Sequence, residues 1–389
     1  MVQQSVSNIS NSIEIKAVFF RYFFFVFVGL EVLIIPKIID EEIYSSIEYV
    51  KHIIFLSPLF MLGIPSGMIY RKMKGGLDVE AKLMRSSIVL SLIVGTNIAF
   101  WSNNIIYALP VILFVFCAIV ESELKIKQRF NLALLLKPLI SILLIINSFL
   151  LFKNLINVQV YLNLSFCLGA IVWLALSKVK IFKGKLFEIN EFIKCIRFGF
   201  LITLSTLIFG LFIFFDRFIA KNYYYEILPS YSLAFSFSQM VVLGLSTLNY
   251  ISTIKIGEAH DRIQKKDLIK LLYRSTVILS IVLFLSFIIT KYFFVSYFKE
   301  FEFFSYFLLI TLSKSIFITI GVITPMIYYK DKIIHSVIIL TVAFILQITL
   351  TYKIYIPNNY DYLYILLSSG IILIIVSIYN LSLSIRLAK

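Results

Sequence analysis

The chain has 389 residues, of which 60% are hydrophobic, 16% aromatic and 15% charged, and its formal net charge is +15. Soluble domains usually carry about 25% charged residues, so this composition cannot cover a water-facing globule and excludes an ordinary soluble protein. Apolar runs of about 20 residues, the length that spans a bilayer, recur from residue 17 almost to the end. The sequence therefore predicts an all-α membrane protein with no separate soluble domain.

Apolar runs bounded by charges or turn residues predict twelve spanning helices. The third and fourth runs are the closest pair, since only Ser102, Asn103 and Asn104 separate them. In chain order the twelve predicted runs cover residues 17–36, 46–70, 86–101, 105–121, 131–152, 158–177, 198–220, 229–253, 272–298, 302–328, 333–352 and 361–385.

Lysine and arginine are concentrated in alternate loops between the runs. The loop after the second run contains Arg71, Lys72, Lys74, Lys82 and Arg85, whereas the loop after the third run contains none. Because cytoplasmic loops collect Lys and Arg, the alternation predicts an even number of crossings with both termini in the cytoplasm. It also explains the positive charge without a nucleic-acid partner. Richness in Lys, Ile, Asn, Phe and Tyr, typical of an AT-rich bacterial genome, favours a bacterial plasma (inner) membrane.

The two halves of the sequence repeat each other. Residues 83–94 read LMRSSIVLSLIV and residues 272–283 read LYRSTVILSIVL, and both follow a basic loop. A Tyr-Ser pair also begins a helix in each half, at Tyr44 and at Tyr231. Such a duplication predicts an N-terminal six-helix bundle over 1–190 and a C-terminal one over 191–389. Because six is even, the bundles are parallel repeats, which place a transported species between them.

Four short motifs carry a resemblance to a known family. Phe215–Ile219 reads FDRFI at the predicted outer end of the seventh helix, and Ser230–Phe235 reads SYSLAF at the start of the eighth. In the first half, Ile39–Ser45 reads IDEEIYS, and Gly63–Arg71 is a small-residue stretch that ends in arginine. In these motifs the chain resembles the polysaccharide transporter, or O-antigen flippase (Wzx-type), branch of the multidrug/oligosaccharidyl-lipid/polysaccharide (MOP) flippase superfamily. The glycines that flank the first-half tyrosine in that family are absent here.

This resemblance implies two six-helix bundles around a central cavity. It implies a flippase that moves undecaprenyl-diphosphate-linked oligosaccharide to the outer leaflet for O-antigen or capsule synthesis, without a cofactor. Membrane lipids, a glycan polymerase and glycosyltransferases are the implied partners. Two alternatives remain, namely another MOP-type exporter of drugs or lipid-linked precursors, and a membrane polymerase or acyltransferase. The enzyme alternative is disfavoured because His52, His260 and His335 have no carboxylate at a catalytic spacing.

Ionisable residues inside the predicted runs are the candidate site residues. Each costs roughly 2.5 to 3.5 kcal/mol at the bilayer centre, so a functional or pairing role is expected. Cations at this depth suit an anionic diphosphate, and a carboxylate there could bind a coupling proton or sodium ion. Snorkelling of the two arginines and structural pairing of Asp216 are the alternatives. The predicted substrate-binding residues are Arg21, Lys137, Arg217 and Lys314, and the coupling-ion candidates are Glu31 and Asp216.

Overall fold

The structure is a computed structural model, and it describes residue 23 and residues 26–73, 79–101, 105–127, 129–179, 189–259 and 263–388. Throughout these ranges the regular structure is helical, and no strand occurs in them. The helices are α1 (26–38), α2 (Glu41–Leu56), α3 (Ile64–Met73), α4 (Val79–Trp101), α5 (Ala108–Ile126), α6 (Phe130–Leu134), α7 (Leu136–Phe152), α8 (Val158–Ser177), α9 (Ile189–Tyr223), α10 (Leu228–Ala259), α11 (Lys265–Ile289), α12 (Val295–Tyr297), α13 (Phe304–Gly321), α14 (Pro325–Tyr329), α15 (Ile333–Leu350) and α16 (Tyr362–Leu387).

Wherever a predicted run is described by the structure, it coincides with one helix or with two consecutive helices. This confirms the all-α prediction. Eight of the described helical segments are long and apolar enough to cross a bilayer. A ninth span results when two consecutive segments with a 50° bend between them are taken together, namely Glu41–Phe60 and Ile64–Lys72. The chain is therefore a multi-pass membrane protein.

Helix boundaries follow local signals in the sequence. Asn157 caps α8, because its side-chain oxygen accepts the Val160 N–H at 2.8 Å. Asp361 caps α16 by accepting the Leu363 N–H at 2.9 Å. Pro325 occupies the first turn of α14, where a missing N–H costs little. The tenth predicted run is consequently broken between α13 and α14.

The described chain folds into two compact units. The first comprises the described residues of Met1–Ile43 and Val50–Phe200, and the second those of Tyr44–Tyr49 and Leu201–Lys389. The division thus falls within α2 and within α9. The boundary predicted from the sequence, between residues 190 and 191, is at the start of α9.

In the first unit, the segment that joins α2 to α3 packs closely against the first part of α9. Leu62 and Gly63 both have positive φ, 52° and 89°. A Cβ atom at Gly63, Gly67 or Gly199 would collide with backbone atoms of the facing segment, including those of Cys195. Glycine is therefore required on both sides of this contact, which we call the glycine crossing (Gly63, Gly67 and Gly199).

In the second unit, α9, α15 and α16 share an apolar core. Phe212, Leu340 and Val376 are buried in it and are at most 1% exposed. The α13 helix packs against α10 on one side and α16 on the other. Side chains of α9, α10, α13 and α16 can therefore meet inside this unit.

Candidate functional site

Four charged side chains are buried together in the second unit, and we call them the charge cluster. They are Glu48 of α2, Asp216 and Arg217 of α9, and Lys314 of α13, with exposed fractions of 5%, 7%, 1% and 4%. Arg217 interacts with Glu48, and Lys314 lies within Coulombic range of Asp216 and Arg217. Two anions and two cations make the cluster formally neutral. It brings together three of the residues predicted from sequence.

Arg217 is held by a backbone carbonyl, a carboxylate and an aromatic ring. Its Nη1 donates to the Glu48 carbonyl oxygen at 2.7 Å, and its Nη2 lies 3.7 Å from Glu48 Oε2. The guanidinium carbon is 4.2 Å from the centroid of the Phe235 ring. With 1% of the residue exposed, Arg217 is packed inside the unit, and the snorkelling interpretation does not describe it.

Lys314 contacts the same aromatic ring as Arg217. Its Nζ is 3.6 Å from the Phe235 centroid, a geometry that stabilises a desolvated cation by about 2 kcal/mol. Nζ has no hydrogen-bond partner among the described residues. Asp216 attracts this ammonium and Arg217 repels it. A buried ammonium whose three donors are unused is suited to an anionic ligand.

Serine hydroxyls of α16 and α10 donate hydrogen bonds to the two carboxylates of the cluster. Ser369 of α16 donates to Asp216 Oδ2 at 3.2 Å, whereas Asp216 Oδ1 has no hydrogen-bond partner within the described ranges. Ser236 of α10 donates to Glu48 Oε2 at 3.0 Å. The Tyr362 hydroxyl donates to the Asp216 carbonyl at 2.7 Å and fixes the backbone there. Asp216 therefore keeps one oxygen available for a proton or a cation.

Sequence reasoning missed Glu48 and Lys51, although both lie in the predicted run 46–70. A charged residue inside an apolar run is the same signal that identified Lys314, so both could have been found. Their partners could not have been found in this way. Glu48 contacts Arg217, and Lys51 contacts Glu31, only because the helices pack together.

The remaining predicted residues lie in the first unit or outside the described residues. Glu31 of α1 is 4% exposed and forms an ion pair with Lys51 of α2. Lys137 near the start of α7 is exposed, and its Nζ is 5.1 Å from the centroid of the Phe55 ring. Arg21 lies outside the described residues. Glu31 and Lys137 thus belong to the first unit, whereas the charge cluster belongs to the second.

The Glu31–Lys51 pair gives a testable expectation for the first unit. Lys51→Met should lower the free energy of unfolding by about 3 to 5 kcal/mol, because Glu31 would remain buried without a counter-charge. A Glu31→Gln, Lys51→Met double variant should recover most of that loss, and the exposed Lys153→Met should change little. Melting temperatures of the purified variants in one detergent measure this. A double variant as unstable as Lys51→Met would contradict a paired role for Glu31.

The site has no grouping suited to a metal ion within the part of the chain that the structure describes, since no three His, Cys, Asp or Glu side chains come together there. The three cysteines, Cys117, Cys167 and Cys195, are free thiols. The side chains of the charge cluster offer ion pairing, hydrogen bonding and one carboxylate oxygen for a proton or a cation.

Comparison with known proteins identifies the class of fold. No protein-family model and no curated protein matches the sequence. A MOP superfamily transporter from Pyrococcus furiosus superposes with a TM-score of 0.66 at 14% identity, over 97% of this chain and 95% of that chain. An inward-facing multidrug resistance MATE family transporter gives 0.65 at 15%, over 95% and 98%, and a eukaryotic MATE transporter gives 0.63 at 10%, over 98% of each chain.

At these identities the likeness defines the fold. The chain has the fold of the MATE and MOP superfamily transporters, as the sequence resemblance implied. Assignment to the O-antigen flippase branch stays a prediction.

Proposed function

We propose that the chain is a MOP-type flippase that moves polyprenyl-diphosphate-linked oligosaccharide from the cytoplasmic to the outer leaflet by alternating access. The observation that carries the proposal is the burial of Arg217 and Lys314 around Phe235, inside a transporter fold. Asp216, Arg217 and Phe235 also belong to the two second-half motifs that resemble the flippase branch. The motifs that carry the family resemblance thus contain side chains that are also buried together in the structure.

The charge cluster matches the chemistry of a lipid diphosphate. Such a headgroup cannot enter hydrocarbon bare, because an unpaired charge there is very costly. Lysine and arginine donors form strong charge-assisted hydrogen bonds with phosphate oxygens. In our proposal, Glu48 and Asp216 balance the two cations while the site is empty, and phosphate oxygens replace these carboxylates when substrate binds.

Release of Asp216 from Lys314 provides a route to coupling. Once the ammonium is bound to phosphate, Asp216 has lost its counter-charge and takes a proton or a sodium ion in its place. Outward movement of an anion across an inside-negative membrane is itself favourable by about 2.3 kcal/mol per charge per 100 mV. The substrate charge and the coupling ion therefore act in the same transport cycle.

The proposed setting is the bacterial plasma (inner) membrane, with both termini in the cytoplasm. Glycosyltransferases would supply the lipid-linked substrate, and a glycan polymerase would consume it. An exporter of drugs is the second candidate, favoured by the likeness to multidrug resistance MATE transporters.

A transport assay with the purified full chain separates the two candidates. Reconstituted in liposomes, the protein should move a fluorescent short-chain polyprenyl-diphosphate disaccharide between leaflets, as measured by its exposure to an external lectin or quencher. Liposomes without protein are the control. Efflux of ethidium without movement of the lipid-linked sugar would overturn the flippase proposal and establish a drug exporter.

A further inference from the structure

A cavity of about 180 Å³, lined by apolar side chains together with several hydroxyl and amide groups, lies inside the second unit. Its wall includes Phe317 and Gly321 of α13, which lie one to two helical turns, about 5 to 10 Å, along the helix from Lys314. The neighbouring helices contribute hydroxyl and amide groups. Among the described residues that line the cavity, none carries a charge at neutral pH. The polar residues of the wall used below are Asn249, Thr253, Ser336, Ser377 and Asn380.

Three hydroxyl groups in the cavity wall present acceptor oxygens, because their protons are already donated elsewhere. Thr253 donates to the Asn249 carbonyl at 2.8 Å, and Ser377 to the carbonyl four residues earlier at 2.7 Å. Ser336 donates to Asn380 Oδ1 at 2.8 Å. The side-chain oxygen of Asn249 is buried and has no hydrogen-bond partner in the described chain. A ligand here must therefore bring hydrogen-bond donors.

The volume of the cavity and the aromatic residues of its wall further restrict the kind of ligand that fits. Phe317 is held by a stacked contact with Phe209, with ring centroids 4.2 Å apart and an interplanar angle of 10°, and Tyr328 also lines the cavity. The volume is several times the roughly 30 Å³ that one water molecule occupies in the liquid. This volume is larger than a bare monovalent cation needs, and it suits a ligand the size of one small ring. Donor groups around a ring with apolar faces describe a sugar.

We propose that this cavity binds one uncharged sugar ring of the carbohydrate headgroup, which we call the sugar pocket. The inference rests on the proposed function and deepens it, since the cavity lies within two turns of Lys314. With a diphosphate at Lys314, the first sugar attached to it would reach the pocket. The pocket contributes recognition of the sugar, and the cations contribute recognition of the phosphates.

Two water-soluble probes separate these contributions, namely farnesyl diphosphate and a farnesyl-diphosphate-linked hexose. The wild type should bind the hexose-linked probe about tenfold more tightly, by calorimetry in detergent, since several hydrogen bonds of modest net value are added. Asn249→Ala should reduce that advantage to about twofold and leave the affinity for farnesyl diphosphate unchanged. The variant should fold normally, because the Asn249 oxygen it removes has no partner to lose.

A second variant and a control protect the test against indirect effects. Gly321→Ala places a Cβ 2.8 Å from Asn249 Nδ2, so it displaces the amide without removing it and should also reduce the advantage. Thr276→Ala removes an exposed hydroxyl with the same bond to the carbonyl four residues earlier, and it should keep the full advantage.

Four results would overturn either the sugar pocket or the proposed function. Equal wild-type affinity for the two probes, or an unchanged advantage in both pocket variants, would exclude the sugar pocket and leave the flippase proposal standing. Failure of farnesyl diphosphate to bind the wild type would instead remove the proposed function. A melting temperature raised by sodium but not by potassium, with loss of this effect in Asn249→Ala, would show a cation site in place of a sugar pocket.

Discussion

Lys314→Ala is expected to abolish export and to destabilise the protein. The ammonium it removes is 4% exposed and is the cation that interacts with Asp216. Removing one member of a buried charge pair typically costs about 3 to 5 kcal/mol, because the other charge remains buried without compensation. Export should fall to background, since the proposed phosphate ligand is lost. Surface glycan in cells at matched protein level, and lipid movement in liposomes, are the measurements.

A double variant distinguishes a functional cation from a structural one. Asp216→Asn with Lys314→Met keeps the cluster formally neutral, because Arg217 and Glu48 remain as a pair. Its melting temperature should return close to that of the wild type, whereas its export should stay at background. Lys353→Met removes an exposed lysine from another candidate span and should preserve both properties. Normal export by the double variant would show that the Asp216–Lys314 interaction serves packing alone.

Hydropathy predicted the helices because the local sequence alone determines whether a segment spans the membrane. About 20 apolar residues suffice to bury a helix in lipid, whatever the rest of the chain does. The same local reading identified Lys314 and Asp216 as charges at depth. The bend between α2 and α3 also has a local signal, since Pro58 and Pro65 flank it.

Long-range partners could not be predicted in this way. Glu48 meets Arg217 across 169 positions of the chain, and nothing in either segment specifies the other. Lys137 shows a related limit of prediction from sequence. Its position within an apolar run predicts that it lies deep in the membrane, but its exposure depends on which face of the helix packs against the protein. Asn249 and Ser377 carried no signal at all, since hydroxyl and amide residues are common in spanning helices and usually bond to their own backbone.

The glycine crossing is the other place where small substitutions should have large effects. Gly199→Ala is expected to prevent folding of the first unit, because its Cβ would overlap backbone atoms of Gly63 and Gly67. Backbone atoms cannot rotate away as a side chain can, so α3 and α9 would have to separate. Overpacking typically costs about 1 to 3 kcal/mol where side chains can adjust, and more is expected here. The measurement is the yield and melting temperature of folded protein extracted from the membrane.

Gly63→Ala should be at least as damaging for two separate reasons. It introduces the same overlap with the backbone of Gly199, and it places a side chain at φ 89°, a strain of about 1 to 3 kcal/mol. Gly370→Ala is the matched control, since its Cβ would lie 3.3 Å from the Ser313 Cβ, a contact that a shift of a few tenths of an ångström relieves. If Gly199→Ala melted with the wild type, the close approach of α3 and α9 would be wrong. If it melted low and Gly370→Ala did not, backbone contact at the glycine crossing would account for the requirement for glycine.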